Sequence, residues 1–133
     1  MIEFVQTPVA LELGQRLNAF RLEHGIAPLE PSQALTIAAQ LHAEDMAARI
    51  VLSHQGGNGS QVSDRLEAQG YDWWSLAENV AFGQENPAQA MESWRKSDGH
   101  RENMLLPGVT QYGIGLAYNH IGPYWVMDLA APR

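Results

Sequence analysis

The sequence predicts an α+β sandwich, with helices and strands segregated along the chain. Apolar residues recur at three- and four-residue steps through the first two-thirds, the period of a helix packed on one face. Strict alternation takes over in "YGIGLAYN" near the end, the period of a half-buried strand. The chain has 133 residues, 45% of them apolar, which suits a single domain with one packed core.

The first helix is expected at about 9–24, where Val9, Leu13, Leu17 and Phe20 share a face and Gly25 stands in the C′ position. "IAPLEP" then makes an extended link, because proline disfavours helix in the residue before it. A second helix covers about 32–51, with Leu35, Ala38, Ala39, His42, Met46 and Ile50 on one stripe. The Gly-rich loop "SHQGGNGS" follows, then a short helix at roughly 60–69 closed by Gly70. "SLAENVAFG" reads as a strand over about 76–82. In "NPAQAMESWRKS", Asn86 caps a helix with Pro87 at its first position. The stretch "KSDGHRENMLLPG" reads as a turn that Gly99 lets bend sharply. "YGIGLAYN" and "YWVMDLAA" then pair as a hairpin across "HIGP", and the strand at 76–82 joins them in a small, mostly antiparallel sheet that the helices cover. No linker or repeat divides residues 1–133.

Composition narrows the function. The net charge is −7 and the eight Lys and Arg are scattered, which argues against nucleic acid or an anionic membrane as the main partner. With no cysteine, disulfides, thiolate chemistry and Cys-type zinc sites are excluded. No apolar run approaches the roughly 20 residues that span a bilayer. The start, "MIEFVQTPVALE", lacks a basic segment followed by an apolar one. Either the protein is not exported by that route or a leader has been removed. A monomer is expected.

Three polar residues stand out: His54 at the mouth of the Gly-rich loop, Glu78 in the strand, and His100 in "SDGHREN". On the strand reading, Glu78 faces the same way as Val80 and Phe82. A carboxylate on an apolar face needs a partner, and a histidine would serve. Two imidazoles and a carboxylate suit zinc or another divalent cation. Without metal they form a general acid/base set. Spacing alone does not choose, since neither "LHAED" nor "GHREN" is the HExxH of metalloproteases. Lone histidines in loops are mostly surface or capping groups, which is the reading for His24 and His120. His42 reads as a satisfied core histidine. Arg65 and Arg101 read as structural ion-pair donors, and Trp73, Trp74, Trp94 and Trp125 as core. A Ser97–His100 nucleophile pair lacks an oxyanion-hole motif.

Seven stretches carry a resemblance in the right order: "LNAFRLEHGIAPLE", "LTIAAQLHAEDMA", "SHQGGNG", "RLEAQGY", "AENVAFG", "SWRKSDGHRENML" and "YGIGLAY". Together they resemble the CAP superfamily (the SCP, pathogenesis-related-1 or antigen 5 domain) in its compact cysteine-free bacterial form. The resemblance implies a three-layer α/β/α sandwich with a surface cleft. It implies a tetrad of two histidines and two glutamates in that cleft, the histidines able to hold a divalent cation, often zinc. His54, Glu78 and His100 match three members, with Asn79, Ser97 and Asn103 supporting them. The second glutamate falls within "WRKS", where Lys96 or its neighbour stands, and repulsion there puts strong constitutive zinc binding in doubt. Secretion is the implied location.

Three functions follow as expectations. The first is a binding module for a small apolar ligand, lipid, peptide or cell-wall component. The second is a metal-dependent or His/Glu hydrolase acting through His54, Glu78 and His100. The third is a purely structural hydrogen-bond network.

Overall fold

The structure, a computed structural model, describes residues 4–133. Residues 1–3, part of the start read above for a leader, lie outside the described residues. α1 (Pro8–Glu23) opens on Thr7, whose hydroxyl accepts from the amide of Ala10, and closes through Gly25 at φ 70°. "IAPLEP" is extended as expected, and its end forms a short strand, β1 (Glu30–Pro31).

α2 (Gln33–Arg49) is capped by Ser32 and buries Leu35, Ala38, Ala39, His42 and Met46. Ile50 departs from the expected stripe. The amide of Val51 returns to the carbonyl of Met46, which closes the last turn one residue early and leaves Ile50 left-handed and turned outward. α3 (Val62–Ala68) and β2 (Trp73–Phe82) follow, β2 beginning three residues before the expected start. α4 (Pro87–Arg95) has the anticipated Asn86 cap.

The stretch around His100 is a correction. It is a helix, α5 (Asp98–Met104), and Gly99 lies in its first turn. Gly99 has no left-handed φ, and a Cβ there would meet open space, so no sharp turn depends on it. β3 (Gln111–Asn119) and β4 (Gly122–Pro132) form the hairpin across His120 and Ile121.

The sheet order is β1-β3-β4-β2, antiparallel except for the two-residue β1–β3 pairing. α2 and α3 cover one face, packing Ala39, Ala43, Met46 and Leu66 around Val80, Val126 and Ala130. α1, α4 and α5 cover the other, packing Leu13, Leu17, Trp94 and Met104 around Ala77, Ala81, Met127 and Leu129. The architecture is therefore the expected three-layer α/β/α sandwich. Covered on both faces, β4 reads as a near-continuous apolar run rather than an alternation.

Two glycines of β3 set the spacing of the upper layer. A Cβ on Gly113 would stand 2.2 Å from the backbone of Leu35 and Thr36, and one on Gly115 would stand 2.4 Å from the carbonyl oxygen of Ala39. α2 therefore rests directly on the β3 backbone. Gly113→Ala is expected to push α2 off the sheet at a cost of about 1–3 kcal/mol, read by denaturant unfolding. An unchanged midpoint would show that the helix can shift freely.

The open edges of the sheet are closed by side chains, which limits edge-to-edge pairing. On β2, the indole of Trp94 donates to the carbonyl of Val80 at 3.1 Å and Asn103 donates to that of Glu78 at 3.3 Å. On β3, the amide of Gln40 pairs in both directions with Leu116.

Candidate functional site

β2 is the edge strand, and the site gathers around it. Strand alternation turns Glu78 toward α2 and α3 together with Val80. Glu78 is 5% exposed. Its carboxylate accepts from Nδ1 of His54 at 2.9 Å and from the guanidinium of Arg65 at 3.0 and 3.1 Å. His42 adds a third neighbour, with Nε2 3.9 Å from the carboxylate. The expected need for a partner is met by Arg65 and His54, with His42 close by.

These positions follow from local sequence. His54 stands just after the end of α2, where the chain turns back toward the sheet. Arg65 reaches in from α3, anchored by a second hydrogen bond to the carbonyl of Ser60. His42, on the buried stripe of α2, donates from Nε2 to the carbonyl of Ser53 at 2.7 Å and fixes the segment that presents His54.

His100 arrives from the opposite layer. Asn79, next to Glu78 and pointing the other way, donates to the His100 carbonyl at 3.0 Å. Asn103 donates to the side chain of Asn79 at 2.9 Å, so two asparagines tie α5 to β2. Arg21 fastens the far end of α5 through the carbonyls of Met104 and Leu106. Ser97 stands at the start of α5, and its hydroxyl makes no capping bond.

The electrostatics separate the two histidines. Burial alone would raise the Glu78 carboxyl. The hydrogen bond from His54, the Asp128 carboxyl and the charge of Arg65 overcome that and hold it at about 2. His54 is pushed up by its hydrogen bond to Glu78. His100 is pushed down by partial burial and by the charge of His54. Burial also lowers His42, which is neutral at neutral pH. His100 therefore favours the neutral imidazole, whereas His54 has raised basicity. The His54 side chain is 53% exposed and its Nδ1 is committed inward, so Nε2 is the nitrogen free to meet a ligand.

A carboxylate behind one imidazole is the arrangement that orients metal-binding histidines. A catalytic zinc site takes three protein ligands, however. Among the described residues no group of three or more His, Asp or Glu is placed to hold an ion. His54 and His100 supply two imidazoles, one fewer than the three protein ligands of a catalytic zinc centre. Lys96, at the place expected for the second glutamate, is 74% exposed in its side chain and pairs with Glu92 at 3.5 Å.

Sequence reasoning missed two features. Asp128, directly opposite Glu78 in the β2–β4 register, is completely buried. The signal was present: a carboxylate in the middle of the apolar run "YWVMDLAA". His42 and Arg65 are the core and ion-pair residues the sequence predicts, but both stand against Glu78. A cavity of about 400 Å³ between α2, the Gly-rich loop and α3 is lined by His42 and Arg65 and not by His54 or His100. Trp94 and Trp125 are core as expected, whereas Trp74 is 63% exposed.

The fold and this site together define a class of α/β/α domain, and comparison with known proteins names it. Residues 15–129 match CAP, the cysteine-rich secretory protein family, and the chain belongs to that family. It is 32% identical over 111 residues to YkwD of Bacillus subtilis, an alignment covering 84% of this chain and 42% of YkwD. It is 32% identical over 112 residues to the membrane protein YlbC of the same organism, covering 84% of this chain and 32% of YlbC. The chain thus spans less than half the length of either relative. Among solved structures, an outer surface protein from Borrelia burgdorferi superposes with a TM-score of 0.87 at 16% identity, over 100% of both chains. An extracellular SCP-domain protein from Bacillus anthracis superposes with a TM-score of 0.83 at 22% identity, over 97% of this chain and 45% of that one. These likenesses show the fold. No helix among the described residues is long and apolar enough to cross a membrane.

Proposed function

We propose that this domain is an extracytoplasmic binding module whose contact surface is the His54–His100 pair. One observation carries the reading: His54 is clamped from behind by Glu78 through Nδ1 and is half exposed, which leaves Nε2 to face outward. That is an anchored imidazole able to meet a polar group, with His100 as its proposed companion. The described hydrogen bonds of the His54 ring go to Glu78 and include no hydroxyl nucleophile, which favours binding over hydrolysis. The open position of His54, outside the lining of the 400 Å³ cavity, favours a chain-like ligand such as a peptide or cell-wall fragment over an enclosed lipid. A divalent cation held by two imidazoles alone would bind weakly and complete its shell with water or ligand. The extracellular and surface proteins among the structural neighbours support the location.

The test is imidazole NMR during titration with peptidoglycan fragments, peptides, lipids and, separately, zinc. A bound fragment is expected to move His54 and His100 together. The double variant His54→Ala, His100→Ala should weaken binding about tenfold or more, which is about 1.4 kcal/mol. Silence of both rings across the whole panel would sink the proposal.

A further inference from the structure

Asp128 is the largest unexplained polar feature of the core. It is completely buried, and neither carboxyl oxygen has a hydrogen-bond donor against it. An ionised carboxylate left in that position would carry a heavy desolvation cost. The register explains the enclosure. Asp128 pairs with Glu78 on one side and Gly113 on the other, and the missing side chain at Gly113 lets the α2 backbone settle over it. The ionisable groups that act on Asp128 are Glu78 from β2 and Arg65 from α3, and His42 from α2 stands against Glu78. Arg65 spends both terminal nitrogens on Glu78 and Ser60, and its buried Nε reaches neither oxygen of Asp128; His42 donates to Ser53 from Nε2, and its buried Nδ1 has no partner.

As a carboxylate, Asp128 has no partner. As a carboxylic acid it carries its own donor, and the adjacent acceptor is Glu78. We infer that Asp128 is held as the neutral acid and donates its proton in a hydrogen bond to Glu78, so that it positions the carboxylate that positions His54. The site then contains two acids with different roles. Glu78 is the anion that clamps His54 and Arg65. Asp128 is the neutral donor behind it, supplied by β4. Burial and the neighbouring Glu78 charge both push the Asp128 carboxyl well above the usual carboxylate range, in agreement with this assignment. The inference concerns the support of Glu78 and stands apart from what His54 and His100 bind.

Infrared spectroscopy of the intact chain with labelled aspartate reads the assignment directly. A protonated-carboxyl stretch is expected at neutral pH and should be missing from Asp128→Asn. Its absence from the wild type would overturn the inference, and this needs no variant to fold. A second measurement uses stability. A group whose folded pKa lies above its unfolded one loses stabilisation as pH rises between the two. The melting temperature of Asp128→Asn should therefore gain on the wild type between about pH 4 and about pH 7. A difference that stays constant over that range would argue for an ionised Asp128. Positioning has its own signature. The His54 Nδ1 proton should stay protected from exchange in Asp128→Asn, whose amide still donates, and lose protection in Asp128→Leu. Equal protection in both would reduce Asp128 to a buried filler.

Discussion

Glu78→Ala is expected to lower the unfolding free energy by about 3–5 kcal/mol, among the largest single-site losses in the chain. The reason is what it leaves behind. Arg65, with its side chain 10% exposed, loses the carboxylate it pairs with among the described residues, and the inward nitrogen of His54 loses its acceptor. A buried charge without its partner costs far more than the pair gains by existing. Glu78→Gln keeps the shape and still fails to balance Arg65, so it should fall between the wild type and the alanine variant. The pH dependence gives a second reading. Glu78 is held at about 2 in the folded state, below its ordinary value near 4.5. Its contribution is therefore complete above about pH 4.5 and fades as the pH falls toward about 2. Denaturant unfolding across that acid range should show the fade in the wild type and not in either variant. A loss below about 1 kcal/mol for Glu78→Ala would mean that desolvation of the cluster cancels its attraction.

Trp94→Ala is expected to cost a similar amount, about 3–5 kcal/mol. Trp94 is fully buried in the layer formed by α1, α4 and α5, and its indole closes the edge of β2 at Val80. The alanine variant would lose the packing and expose that carbonyl at an open edge. Trp94→Phe separates the terms, since it keeps most of the volume and should cost about 1–1.5 kcal/mol for the hydrogen bond alone. If phenylalanine is as damaging as alanine, the edge bond matters more than the packing. Because α4 leads directly into α5, loss of Trp94 should also loosen His100, and His100 line broadening would report it.

His54, Glu78 and His100 were legible in the sequence for different reasons. Glu78 declared itself by strand alternation, a carboxylate where an apolar residue belongs. The histidines were singled out with it, and the resemblance added weight. Their partners were harder to see. His42 and Arg65 lie on separate helices, and nothing local to either names Glu78. Asp128 broke an apolar run as visibly as Glu78 did, but its consequence depends on a β2–β4 register that the sequence does not display.

By itself, then, the sequence determined the layers. Helical and strand periods, the Asn86 cap and the helix-closing glycines at 25 and 70 place most elements within a few residues, because these are local preferences of the backbone and of water. The tertiary structure decided everything that depends on two distant segments meeting. It made α5 a helix, docked by Asn103 and Arg21, where the local signal read as a turn. It set the charge states of the site, because a carboxyl's proton depends on which groups surround it once water has gone. Glu78 and Asp128 are chemically similar acids facing each other in one sheet, and only the guanidinium and imidazole gathered around Glu78 make it the anion.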